Sequence, residues 1–169
     1  MIKRLAGYGI VMRTGAVLSL VLLGALAACS NSQKPSAFTG TDPCTLLASG
    51  DAGQLNGTPA RSGRTCDFRF ESLTVRLTLL EAAFADESRG LLSGGGHGGV
   101  IAGGEGESNN RPLTRRCSEA SGEVTCEAVL EVRERQLVRF EVVQRGTDPN
   151  AVGQVVEGLA AKAFERLPK

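Results

Sequence analysis

The sequence predicts an α+β domain: an antiparallel sheet with a short N-terminal helix and a C-terminal helix packed on one face, held by two disulfides. Three observations predict it. Apolar and polar residues alternate with a period of two over several runs between Cys66 and Val142, the pattern of strands with one buried and one wet face. From Asp148 onward the apolar spacing changes to three and four residues, the pattern of an amphipathic helix. Cys44, Cys66, Cys117 and Cys126 accompany these runs in the even number that disulfides require.

The elements follow in order. Asp42-Pro43 reads as an N-cap followed by proline at the first helical position, so Cys44 to Ala48 forms the short first helix. Asp51 is expected to cap another turn through Leu55, and Asn56-Gly57 is a turn signal. With Thr58 it also matches a glycosylation sequon, read here as a turn. Cys66, Phe68 and Phe70 alternate with Asp67 and Arg69; Leu73, Val75, Leu77 and Leu79 alternate with Thr74, Arg76 and Thr78. These are two strands. The alanine-rich stretch from Glu81 to Arg89 is expected to be helical.

Gly90 to Arg111 breaks the pattern. Nine glycines fall between Gly90 and Gly106, and Ser108-Asn109-Asn110 extends the turn chemistry. Such backbone loses much entropy when fixed. Part of it is expected to be a mobile surface loop, with Val100-Ile101 as a short pairing segment. Beyond it, Val124, Cys126, Ala128, Leu130 and Val132 share one face of a strand. Thr125, Glu127, Glu131 and Arg133 share the other, with Val129 as an exception. After a turn near Arg135, Val138, Phe140 and Val142 alternate with Arg139 and Glu141. Asp148-Pro149 then opens the last helix. Its stripe of Val152, Val155, Val156, Leu159, Ala163 and Leu167 must pack on the sheet, because Gly153 and Gly158 each cost about 1 kcal/mol in a helix interior.

Four cysteines allow three pairings, and local geometry selects one. Ser121-Gly122 is a two-residue hairpin signal. Counting outward, Ala120 faces Glu123, Glu119 faces Val124 and Cys117 faces Cys126, within disulfide reach. Cys44 then pairs with Cys66. A zinc site is the rival reading, but the chain has one histidine and no Cys-x-x-Cys, so no metal ligand set is assigned.

The fifth cysteine, Cys29, has a different context. Lys3, Arg4 and Arg13 precede an apolar run from Gly15 to Ala28, which is shorter than the roughly 20 residues a spanning helix needs. Leu26-Ala27-Ala28-Cys29 closes it and resembles the lipobox of bacterial lipoproteins. This implies cleavage before Cys29 and lipidation of Cys29. The expected organisation is a signal peptide over 1–28, a lipidated flexible tether over 29–41 and a single extracytoplasmic domain over 42–169. The membrane is the first partner, through the lipid on Cys29, and the expected address is the extracytoplasmic face of the cell membrane.

Removing residues 1–28 leaves 16 basic and 18 acidic side chains, and no basic patch of the kind nucleic acid demands. Six phenylalanines remain as the only aromatics after Tyr8 leaves with the signal peptide, a poor set for sugar or base stacking. His97 is the only histidine and lies among glycines, where a general base is hard to preorganise. The same glycines match Gly-x-Gly-x-x-Gly, but not between a strand and a helix, so no dinucleotide site is read. Glu105 and Glu107 are a possible carboxylate pair, read as exposed charges. No catalytic residue and no cofactor is assigned.

Asp42-Pro43-Cys44-Thr45-Leu46-Leu47 resembles the Asp-Pro-Cys-x-Leu-Leu opening of a family of small actinobacterial lipoproteins, domain of unknown function thirty-five fifty-eight. The later cysteines and the closing helix from Leu159 to Leu167 fit the same layout, so the resemblance spans about Asp42 to Pro168. The chain departs from it in lacking the tryptophan that often follows the second cysteine; Phe68 lies nearby. The resemblance implies a cell-surface α+β lipoprotein and supplies no catalytic residues. Three functions are compatible with these observations: a non-catalytic binding or scaffolding module for an envelope protein or ligand, an envelope enzyme using convergent carboxylates, and a carrier of a lipid or small apolar ligand.

Overall fold

The computed structural model describes residues 38–101 and 110–168. The expected signal peptide, Cys29, most of the expected tether, and Glu105 and Glu107 lie outside the described residues. The described chain forms a seven-stranded antiparallel sheet: β1 (Ala60–Ser62), β2 (Thr65–Arg69), β3 (Leu73–Leu80), β4 (His97–Ile101), β5 (Arg111–Ala120), β6 (Glu123–Arg133) and β7 (Gln136–Arg145), in spatial order β1-β2-β3-β7-β6-β5-β4. A 3-10 turn, Pro43–Thr45, precedes the sheet; helix α1 (Phe84–Ser93) joins β3 to β4 and helix α2 (Pro149–Arg166) ends the fold.

Period-two alternation decides which way each strand faces. Phe68 sits opposite Val75, and Leu77 opposite Phe140, which is in turn opposite Ala128; all five are at most 1 % exposed. α2 lies across β5, β6 and β7 on this face and fills it with Val152, Val156, Leu159, Ala160 and Ala163. Its start is as expected: Asp148 accepts a hydrogen bond from Asn150 N at 2.8 Å, and Pro149 occupies the first position. The Asp42 carboxylate caps the 3-10 turn the same way, accepting from Cys44 N at 2.9 Å. That turn packs over β2 and β3 beside α2.

Both disulfides form as the hairpin count requires. Ser121 and Gly122 have φ of 55° and 74°, the signature of a tight hairpin loop, and Cys117 lies opposite Cys126 with their Cα atoms 4.0 Å apart. Cys44 bonds Cys66 across a Cα separation of 5.2 Å and fastens the 3-10 turn to β2.

Four expectations are corrected. The chain joins the core before Asp42: Phe38, placed in the tether, is 5 % exposed among the core side chains. No helical turn runs from Asp51 to Leu55; the Asp51 carboxylate accepts from Ala48 N at 2.7 Å and Leu55 bridges Phe70. The helix expected over Glu81–Arg89 begins later and ends later, because Ala83 is extended, and Gly94 closes the end by donating to the Leu91 and Leu92 carbonyls. The glycine-rich segment read as a loop carries β4, which begins at His97, three residues before the expected Val100-Ile101 pair.

Val129, the exception in the β6 pattern, is explained by α1. Val129 and Leu137 point to the face opposite α2, where Leu91 of α1 covers them in a second small apolar cluster. The sheet is therefore covered on both faces at one end, and on one face elsewhere.

Candidate functional site

Two exposed features of the sheet hold its functional potential: the uncovered part of the α1-side face, and the β4 edge.

Strand register lines up one charged row across the uncovered face. Asp67 of β2 is opposite Arg76 of β3, Arg76 opposite Glu141 of β7, Glu141 opposite Glu127 of β6, and Glu127 opposite Arg116 of β5. Arg76 Nε donates to Asp67 Oδ1 at 2.8 Å and its other end lies 3.9 Å from Glu141. The hydrogen bond to Asp67 raises the Arg76 guanidinium above its ordinary value. Glu127 is held by Arg139, which sits 3.8 Å from it and 3.5 Å from Glu87 of α1, and by Arg116 from the other side, while the adjacent Glu141 faces Arg76. A shallow groove of about 230 Å3 runs along the row beside Arg69, Thr74 and Val143. Its walls alternate in sign, so they neutralise one another rather than present a field to a charged ligand.

The β4 edge carries the only histidine. His97 is opposite Arg115, and Gly99 is opposite Leu113. Arg115 Nε donates to Glu157 Oε1 of α2 at 2.8 Å. His97, Gly98, Gly99, Leu113, Arg115 and Glu157 surround a hollow of about 110 Å3 between β4 and α2. Two glycines shape this corner. A Cβ at Gly153 would lie 2.3 Å from Arg115 Nη1, so the missing side chain leaves room for the guanidinium against the helix. A Cβ at Gly96 would lie 2.6 Å from the Leu91 carbonyl oxygen and 2.8 Å from that of Arg115, so the backbone passes there only as glycine. Sequence reasoning weighed Gly153 as a helix defect; its use appears only once Arg115 is placed against it.

A third charged group ties the ends of the fold together. Arg166, in the last turn of α2, binds the Asp51 carboxylate with both terminal nitrogens, one of them 2.9 Å from Asp51 Oδ1, and donates to the Leu46 carbonyl at 3.0 Å. The Asp51 side chain is 7 % exposed. The hydrogen bond from Arg166 holds its carboxyl below the ordinary value, against a smaller opposing effect of burial, and the same bond raises Arg166.

The expected site residues fall as follows. Cys44, Cys66, Cys117 and Cys126 are disulfide-bonded, leaving none of them as a thiol. His97 is on the edge hollow, next to an arginine–glutamate pair. Among the described residues no group of three or more His, Cys, Asp or Glu side chains is placed to hold a metal ion, and no helix is long and apolar enough to cross a membrane. No family model matches the chain, and no curated protein matches its sequence.

Proposed function

We propose that this chain is a lipoprotein anchored through Cys29 to the extracytoplasmic face of the cell membrane, where its domain acts as a non-catalytic binding or scaffolding module of the envelope. The observation that carries the proposal is Leu26-Ala27-Ala28-Cys29 at the end of a 14-residue apolar run behind Lys3, Arg4 and Arg13. A single acyl chain binds a membrane marginally and two bind it stably, so a diacylglyceryl group on Cys29 suffices as an anchor. The resemblance to the small actinobacterial lipoproteins, domain of unknown function thirty-five fifty-eight, points the same way. Two disulfides support an oxidising address, since reducing compartments rarely keep them.

The side chains support binding over the two alternatives. The carboxylates of Asp51, Glu127 and Glu157 are each engaged by an arginine, so these three are committed to ion pairs. The space between sheet and α2, where an apolar ligand would be carried, is filled by Val152, Val156, Leu159, Ala160 and Ala163, none more than 1 % exposed.

Two measurements test the proposal. The Cys29→Ser protein should lose the lipid mass and leave the detergent phase; continued membrane partition, with no lipid mass on wild-type Cys29, sinks the anchor. Crosslinking pull-down of the full chain from native membranes should capture a specific envelope partner, and capture of nothing above the background of an unrelated lipoprotein sinks the binding role.

A further inference from the structure

We propose that the free edge of β4 is a strand-addition site, which takes an extended peptide segment of a partner protein and seats one small uncharged polar side chain of that segment in the hollow beside His97, Arg115 and Glu157. The inference rests on the reading of this protein as a binding module and names the surface and the chemistry of its partner.

The two edges of the sheet differ in how they are guarded. β1 is three residues long, follows Pro59, and carries Arg61, which is 3.5 Å from Asp42. Proline, charge and shortness are the devices by which proteins keep an edge from pairing. β4 has none of them: His97-Gly98-Gly99-Val100-Ile101 holds no Lys, Arg, Asp, Glu or Pro, and among the described residues no strand lies beyond it.

Gly98 and Gly99 are not glycines that the fold demands. A Cβ at either would meet nothing within 4 Å, and neither has a positive φ. This separates them from Gly96, two residues earlier, which is pressed against two carbonyl oxygens. Glycine within a strand marks a bulge, a tight bend or a place where a ligand or another backbone approaches closely, and β4 pairs with β5 in unbroken register, without a bulge. At Gly99 the missing side chain also opens the hollow, with Leu113, 3 % exposed, as its floor. Its charged walls, Arg115 and Glu157, already satisfy one another at 2.8 Å, so a hydroxyl-sized guest adds hydrogen bonds while a charged one splits the pair.

One exposed apolar side chain lies close by in sequence. Leu92, in the last turn of α1 just before β4, is 47 % exposed, the one large apolar side chain exposed to that degree among the described residues. Side chains of an added strand alternate between the two sides, so a polar residue over Gly99 puts its neighbours on the face of the sheet that carries α1. A second copy of this chain fits less well. A stable pair needs about 1,200 Å2 of buried surface, which a five-residue edge with two glycines does not supply, whereas peptide addition draws its affinity from main-chain hydrogen bonds and one or two side-chain seats.

The test uses the full chain and synthetic heptapeptides in which Val alternates with Ser, Thr, Asp or Lys. Ser and Thr peptides should bind at least ten-fold tighter than Asp and Lys peptides and slow hydrogen exchange at Gly98 to Ile101. N-methylation of alternate peptide nitrogens should abolish binding. Gly99→Val, which the open space around Gly99 admits without refolding, should weaken binding at least ten-fold while the far-ultraviolet spectrum stays unchanged. The proposal is overturned if no peptide slows exchange at β4, or if methylated peptides or Gly99→Val bind as the originals do. It is also overturned if the free chain forms a concentration-dependent dimer that Gly99→Val dissolves, or if its outward β4 amides are already strongly protected, which would give the edge to a second copy or to a segment of the same chain. A partner crosslinked from membranes equally by wild type and Gly99→Val removes the edge proposal and leaves the binding module standing; no partner and no peptide with either removes both.

Discussion

Along β7, Val138, Phe140 and Val142 are fully buried beneath α2, while Arg139, Glu141 and Val143, interleaved with them, stay partly exposed on the opposite face. The first set belongs to a continuous core that reaches from Phe38 to Leu167. The second set meets an apolar cover only at one end, where α1 closes over Val129 and Leu137, and elsewhere is held by a row of mixed charges. One face therefore supplies the cohesion, and the other is left available as surface. The difference also explains how a chain with so few large aromatic residues folds: Phe38, Phe68, Phe70 and Phe140, four of the six phenylalanines, are buried in the one core.

The comparison predicts a steep gradient of mutational cost. Phe140→Ala should lose about 3–5 kcal/mol, the usual cost of emptying an aromatic site in a packed core, measured by denaturant unfolding of the oxidised protein. Glu141→Gln, one residue away on the charged face, belongs at the bottom of the scale, within about 0.5 kcal/mol of wild type. Equal losses at the two positions would break the distinction between the faces.

Next in size come the disulfides, which differ in loop length. Replacing both cysteines of the Cys44–Cys66 pair, separated by 22 residues, should cost about 3.4 kcal/mol in the chain-entropy picture, and replacing the Cys117–Cys126 pair, separated by 9, about 2.6. A larger loss from the hairpin pair would mean that its place in the sheet, rather than its loop, sets its contribution.

Gly96→Ala should destabilise by about 1–3 kcal/mol through its contact with two carbonyl oxygens, whereas Gly99→Ala, with open space around it, should be neutral or stabilising. Melting temperatures of the two variants, read side by side, test whether the glycines of this segment serve two purposes.

Asp51→Asn gives an intermediate effect, and one that depends on pH. Because the folded carboxyl titrates below its unfolded value near 4, its contribution is complete above that pH and is lost as the pH falls through the folded value. The variant should be about 1–2 kcal/mol less stable than wild type at pH 7, and the two unfolding curves should converge below about pH 4. A gap that stays constant down to pH 2.5 would mean that Arg166 stabilises through packing alone.

How much of this was legible beforehand follows from the range of the interactions. β2, β3, β6 and β7 announce themselves through alternation, and the Cys117–Cys126 register follows from two turn residues, because these signals are local. β1 is exposed at all three positions and so has no alternation to read. β4 is obscured by glycines, whose strand propensity is low, and is held by pairing with β5, a tertiary contact. α1 lacks a side-chain cap, which left its start unmarked. The Asp51–Arg166 pair spans 115 residues and no local pattern points to it. His97 was set aside for the looseness of its surroundings; the strand that orders it, and the arginine–glutamate pair beside it, emerge only from the register.

The Cys44–Cys66 bond also has a mechanical consequence. A pull from the N-terminal side that frees Phe38 reaches Cys44 and passes through sulfur straight into β2, so the residues from 45 to 65 lie outside the line of force. Together the two bonds withhold chain that would otherwise pay out, about 75 Å for the separation of 22 residues and about 30 Å for that of 9. A domain hung from its N-terminal end by a tether would thus be loaded at the sheet, its most cohesive part, and reducing the bonds would turn a short stiff attachment into a long compliant one.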